Sequence, residues 1–309
     1  MPRRLRFFPP GSLVEVTSRT MQGRLLLQPT PLVREITLGV LARATRLYPV
    51  QVLAFAFLSN HYHLLLTIPS AQRLAQFMNY LNSNLAREVG RAIRWRERFW
   101  GRRYQAILVS SEEGAQVGRL QYILSHGCKE HLVERPIDWP GAHSARALRD
   151  GLPVTGSWFD RTLEYRAARR GFRLARKNIV RSETLLLVPL PCWEGLTPEV
   201  HRERIADILR SIETGTTQRT TKSGRPPMGR MALLRQEPHL RPNRLRKAPA
   251  PLVHAASQAI RRELRERYRL FAAAFRWAAK QLRTGNLHVE FPAGSFPPSL
   301  PFVGAARSG

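Results

Sequence analysis

Residues 51–68 constrain the fold of this chain more tightly than any other stretch. Gln51 to Leu58 is an apolar run that reads as a buried strand. Ser59-Asn60 turns it into a second run, His61 to Ile68, and two strands this close pair as a hairpin. Side chains alternate faces along a strand, so His61 and His63 leave one face together while Tyr62 leaves the other. Two imidazoles side by side on a rigid strand are half of a metal site.

The flanks extend this hairpin into a fold class. Leu13 to Thr17 reads as an earlier strand, and Pro29-Thr30-Pro31 opens a helix running to about Tyr48. Pro69-Ser70 caps a further helix from about Ala71 to Arg94, with Phe77, Tyr80, Leu81 and Leu85 as its apolar stripe. Tyr104 to Ser110 is a fourth strand. Ser110 and Glu113 have the spacing of a capping box for a helix from about Ser111 to His131. The order β-α-β-β-α-β followed by a helix predicts an α+β, ferredoxin-like split-βαβ sheet with an added helix.

Composition shifts after Asp138-Trp139-Pro140-Gly141, which places a domain boundary near Asp150. Residues 1–150 then form one domain, and residues 151–309 a basic, mostly helical C-terminal extension. Within the extension, residues 157–180 and Pro198 to Ile212 read as helical, and residues 214–230 as a loose polar linker that Asn243 to Lys247 continues. Residues 251–283 read as one amphipathic helix, with Arg262, Arg265, Arg269 and Arg276 off its apolar stripe. The end, Phe291 to Pro301, is proline-rich and extended.

Charge narrows the partner. With 50 Lys+Arg against 22 Asp+Glu the chain carries +28, and both halves contribute, +11 and +17. Such an excess points to a polyanion, nucleic acid above all. The 43% apolar fraction argues against wholesale disorder. The longest apolar run is too short for a bilayer, and no secretory h-region follows the basic start, so the sequence reads as cytoplasmic, without a membrane partner. Cys128 and Cys192 lie too far apart for a metal-ligand spacing. Structural zinc is therefore disfavoured, and Leu65 stands where a histidine-triad hydrolase would need a third histidine.

The helix after the fourth strand supplies a second half to the site. Val117, Leu120, Leu124 and Cys128 share its apolar face; Tyr122 lies opposite, and His126 follows Tyr122 by one turn. Two strand histidines, a tyrosine and a third polar ligand suit phosphodiester transesterification. The phenol attacks, while a cation held by the imidazoles neutralises the phosphate. Arg94, Arg96, Arg98, Arg102 and Arg103, interleaved with Trp95, Phe99 and Trp100, are candidates for binding DNA, Trp100 being expected as a core anchor. Arg119 and Lys129, flanking Tyr122, join that set.

In these motifs the chain resembles the single-tyrosine HUH transposases, especially the REP-associated tyrosine transposases. Leu58-Ser59-Asn60-His61-Tyr62-His63-Leu64 is similar to their Met-Pro-Asn-His-Val-His-Leu. Trp100-Gly101-Arg102-Arg103-Tyr104 resembles Trp-X-X-Arg-Tyr, and Tyr122-Ile123-Leu124-Ser125-His126-Gly127 resembles Tyr-Ile-X-X-Asn-Pro. The run 138–144 is similar to the Pro-Trp-Ser-Ser region that closes their domain. The resemblance covers about residues 8–147. It implies an HUH endonuclease that cuts and rejoins single-stranded, often hairpin, DNA through a 5′-phosphotyrosine on Tyr122. It also implies Mg²⁺ or Mn²⁺ held by His61, His63 and the position of His126, a nucleoid-associated location, and leaves a homodimer open. Two positions depart from the pattern: His126 replaces the family's Asn and Gly127 its Pro. A catalytically inactive DNA- or RNA-binding descendant is the alternative reading.

Overall fold

The computed structural model describes residues 4–242, 250–296 and 298. Strands β1 (Ser12–Arg19), β2 (Gln51–Phe57), β3 (His61–Ile68) and β4 (Gln105–Val109) alternate with helices α1 (Pro31–Leu47), α2 (Ala71–Ala92) and α3 (Glu113–Leu124). The sheet order is β2-β3-β1-β4, antiparallel throughout these pairs, as the split-βαβ reading requires. The α+β expectation is met. Thr30 and Ser70 accept backbone N–H groups of Val33 and Arg73, fixing where α1 and α2 begin.

Strand alternation divides the core into two layers. Val14, Val16, Tyr62, Leu64 and Leu66 pack against the apolar faces of α1 and α2. Leu13, Leu65 and Val109 face the other way, against Leu120, Ile123 and Leu124 of α3. His61 and His63 share the face of Leu65 and therefore look toward α3.

The C-terminal half builds onto both layers. After α4 (Ala145–Asp150), strands β5 (Val154–Phe159) and β6 (Val180–Leu185) form a separate hairpin against α1, with α5 (Arg161–Arg169) and α6 (Arg176–Ile179) between them. The contact is close: a Cβ on Gly39 would stand 2.2 Å from the Ser157 carbonyl oxygen, and one on Gly156 2.1 Å from Gly39 N. Helix α7 (Pro198–Ser223) lies on the α3 layer through Ile205, Ile208, Leu209 and Ile212. A short α8 (Arg230–Leu234) follows, and Gln236 then hydrogen-bonds Ser59 at the hairpin turn. Strand β7 (Val253–His254) pairs parallel with β4 as a fifth strand and leads into α9 (Gln258–Arg283). Among the described residues no helix is long and apolar enough to cross a membrane.

Several local expectations are corrected. Helix α3 ends at Leu124 rather than near His131, so His126 stands in the turn beyond it. There is no Ser110–Glu113 box: Glu112 is the N-cap residue, and Ser110 Oγ donates to its carboxylate. Residues 154–159 are strand because β6 offers a full antiparallel partner. The linker proposed at 214–230 is helical as far as Ser223, since Ile212 and Thr216 are buried and anchor that turn. Residues 251–257 precede α9 and include β7 instead of belonging to the helix. Asn243 to Lys247, and residues 297 and 299–301 of the proline-rich end, lie outside the described residues.

Candidate active site

Strand β3 and the turn after α3 bring His61, His63 and His126 together. One ligand-capable nitrogen from each lies within 4.8 Å of the others. The rings of His63 and His126 are 4.1 Å apart, and His61 is 5.4 Å from His63. The Nδ1 hydrogen bonds set the tautomers: His63 donates to Glu15 Oε1 at 2.7 Å, His126 to the Tyr122 carbonyl at 2.8 Å, and His61 to Asn60 Oδ1 at 2.6 Å. Each bond leaves Nε2 as the ring nitrogen that carries a lone pair, the form that ligates a metal. Burial and the nearby His63 push the His126 pKa down to about 3, so this imidazole is neutral. The donor set therefore fits a divalent cation.

His126 is only 1% exposed, which corrects the expectation of a polar helix face. The turn that buries it passes through Gly127 at φ +94°, a left-handed conformation that a proline cannot adopt. A Cβ there would also come within 3.2 Å of Val133 and 3.4 Å of Trp139. His126 and Gly127 thus form one consistent local structure.

Tyr122 is half-buried and faces the histidines, its ring 4.6 Å from His126 and 5.6 Å from His63. Arg119 and Lys129 stand over the same ring at 4.5 and 4.4 Å. Burial, then the charges of Glu15 and Glu130, raise the phenol pKa; Arg119 opposes them. Tyr62, by contrast, is wholly buried, and its hydroxyl donates to Asn82.

Two contributors escaped the sequence reading. Glu15 on β1 is buried beneath His63, with His254 Nε2 at 2.8 Å and Arg119 Nη1 at 3.4 Å from its other oxygen. Burial opposes its ionisation, but the close approach of His254 and the hydrogen bond from His63 outweigh this and hold the carboxyl well below the usual range. A charged residue alternating inward within Leu13-Val14-Glu15-Val16 was the available signal for Glu15. His254 gave none, because its place depends on β7 joining the sheet.

The remaining arginines form a separate group. Arg94, Arg96, Arg98, Arg102 and Arg103 are exposed and follow α2. Thr20 bridges Trp100 while Arg19 pairs with His61, so the segment adjoins the histidine end of the sheet. Trp100 is a core anchor: Nε1 donates to the Asn82 carbonyl and the ring packs edge-on against Tyr62. Trp95 is partly exposed, with Arg24 5.4 Å from its ring.

Comparison with known proteins places part of this architecture. Residues 29–126 match the model of the family described as "Transposase IS200 like". A solved REP-associated tyrosine transposase bound to a REP hairpin is similar over 49% of this chain and 88% of its own, at 18% identity and a TM-score of 0.40. A protein of Deinococcus radiodurans R1 assigned as a transposase is similar over 36% of this chain and 87% of its own, at 18% identity and a TM-score of 0.28. No curated protein sequence matches the chain. The matched segment ends at His126, so Glu15 and His254 both lie outside it.

Proposed function

We propose, from the match of residues 29–126 to the IS200-like transposase family, that the chain is a metal-dependent strand transferase. It cleaves and rejoins single-stranded, hairpin-forming DNA through a 5′-phosphotyrosine on Tyr122. The observation that carries this reading is the meeting of Tyr122 with three imidazoles of matched tautomer.

His61, His63 and His126 are the residues that would hold Mg²⁺ or Mn²⁺; such an ion, when bound, neutralises phosphate charge and stabilises charge developing in the transition state. Glu15 fixes the orientation of His63, and the Tyr122 carbonyl fixes that of His126. Arg119 and Lys129 draw a phosphodiester to the phenol, and Arg119 favours its ionised form against the effect of burial. The Tyr122 oxygen then attacks phosphorus, a phosphotyrosine bond forms, and the bond to the 3′ oxygen breaks to leave a free hydroxyl. Attack by a 3′ hydroxyl on the phosphotyrosine reverses these bond changes and rejoins the strand. The exposed arginines at 94–103 serve the flanking DNA through phosphate contacts.

The test is a denaturing gel of protein incubated with a labelled pool of hairpin oligonucleotides and Mn²⁺. A covalent band is expected for the native protein, none after chelation, and none for Tyr122→Phe. A band that persists in Tyr122→Phe would remove Tyr122 as the nucleophile. DNA retention without any covalent band would instead indicate the non-catalytic binding protein.

A further inference from the structure

Next to Arg119, which stands over the Tyr122 ring, lies a cleft of about 370 Å³ between α3 and, outside the family-matched segment, β7 and the first turns of α9. Arg119, His254, Arg261 and Arg265 line it, with Gly114 and Gly118 presenting a bare stretch of α3. No acidic residue lines it, and among the described residues neither Arg261 nor Arg265 pairs with a carboxylate. Arg261 uses one guanidinium nitrogen on the Ala255 carbonyl, which orients the group. Glu15 partners Arg119 and His254, so among the described residues Arg261 and Arg265 are the cleft's cations without a carboxylate, and their shared positive field attracts an anion.

The walls are fixed to the catalytic layer. Strand β7 pairs with β4 through Leu108–Val253 and Val109–His254, and Ser110 N donates to the His254 carbonyl. Glu112 accepts the backbone N–H groups of Ala256 and Ser257, so the N-terminus of α9 already has its anion. The cleft is therefore a side-chain site rather than a helix-end site. Arg119 joins it to the chemistry, because the same guanidinium stands over the Tyr122 ring and near Glu15.

We propose that this cleft holds a backbone phosphodiester of the DNA strand, next to the one offered to Tyr122. The C-terminal segment thereby supplies part of the substrate-binding surface. Paired arginines suit this ligand, since each guanidinium can donate two parallel hydrogen bonds to phosphate oxygens. Such contacts fix the register of the strand without reading its bases. The inference rests on the strand-transferase reading for the identity of the strand.

The test measures equilibrium binding of the labelled hairpin pool, with single-stranded tails, as a function of salt. It uses Tyr122→Phe protein so that no adduct forms. Arg261→Gln/Arg265→Gln removes two cleft charges; Arg276→Gln/Arg283→Gln removes two exposed charges farther along α9. The cleft variant is expected to lose roughly tenfold in affinity, and the log–log salt slope to shrink by about 0.7, the increment of one single-strand phosphate. The distal variant should match the parent. Equal changes in both variants, or none in the cleft variant, would overturn the proposal. So would saturable binding of inorganic phosphate that the cleft variant loses while its DNA affinity is intact. If the cleft variant alone shows the slope change but native protein forms no covalent band, the cleft stands and the strand-transferase reading fails.

Discussion

Replacing Glu15 by glutamine keeps the side chain's shape and removes its charge. The native carboxylate is 3% exposed, with one oxygen 2.7 Å from His63 Nδ1 and the other 2.8 Å from His254 and 3.4 Å from Arg119. Glutamine offers one acceptor oxygen and one NH₂ group. If it continues to accept from His63, its amide donors face His254 and a guanidinium that also carry donors. If it turns over, His63 loses its acceptor and the preference for presenting Nε2. Partners of metal-ligating histidines typically contribute 10–100-fold in metal affinity. On that basis Glu15→Gln should weaken Mn²⁺ binding by about 1.4–2.7 kcal/mol. Leaving buried donors unpaired should also destabilise the fold, by up to roughly 3 kcal/mol. Calorimetric Mn²⁺ titration well below the melting transition, with a separate thermal scan, resolves the two effects. An Mn²⁺ affinity within twofold of native in folded protein would refute Glu15 as the brace of His63.

Other consequences follow from the same geometry. Because the Tyr122 phenol is raised above its ordinary value of 10.0, single-turnover adduct formation should climb by up to about tenfold per pH unit from 7 to 9; a plateau by pH 7 would contradict it. In metal-free protein His126 stays neutral in the fold down to about pH 3, whereas the unfolded residue binds a proton below its ordinary 6.5. Stability should therefore fall as pH drops through this window, and His126→Asn should flatten the dependence by up to about 1.4 kcal/mol per pH unit. Denaturant titrations at pH 7, 6 and 5 read the difference, and parallel curves for both proteins would show that His126 is not responsible.

What the sequence disclosed depended on how local each signal was. His61 and His63 could be assigned to one face because a strand has a period of two, and the Ser59-Asn60 turn fixed the phase. The strand and helix order was equally readable, since each element carried its own apolar pattern and α1 and α2 began at a Thr or Ser cap. The end of α3 was not. Its apolar spacing continues to Cys128, yet the chain leaves the helix after Leu124 and turns at Gly127, burying His126. The β5–β6 hairpin was obscured by the arginine-rich helical segment between its strands and by a partner supplied more than twenty residues later. Helix α7 was cut short because Thr214 to Thr217 looks like a linker, although Thr216 is buried and back-bonds to the Ile212 carbonyl. His254 was beyond local reasoning, since only the two-residue strand β7 brings it to Glu15 across the sheet edge.

The most direct test of the central claim is mass spectrometry of the native protein's covalent DNA complex, formed with Mn²⁺ and digested with nuclease and trypsin. Cleavage after Arg119 and Lys129 releases residues 120–129, which contain Tyr122 and no other tyrosine. The account predicts a 5′-nucleotide on Tyr122 of that peptide, absent when the metal is chelated. Unmodified Tyr122, with the nucleotide on another residue or with cut DNA and no adduct, would contradict it.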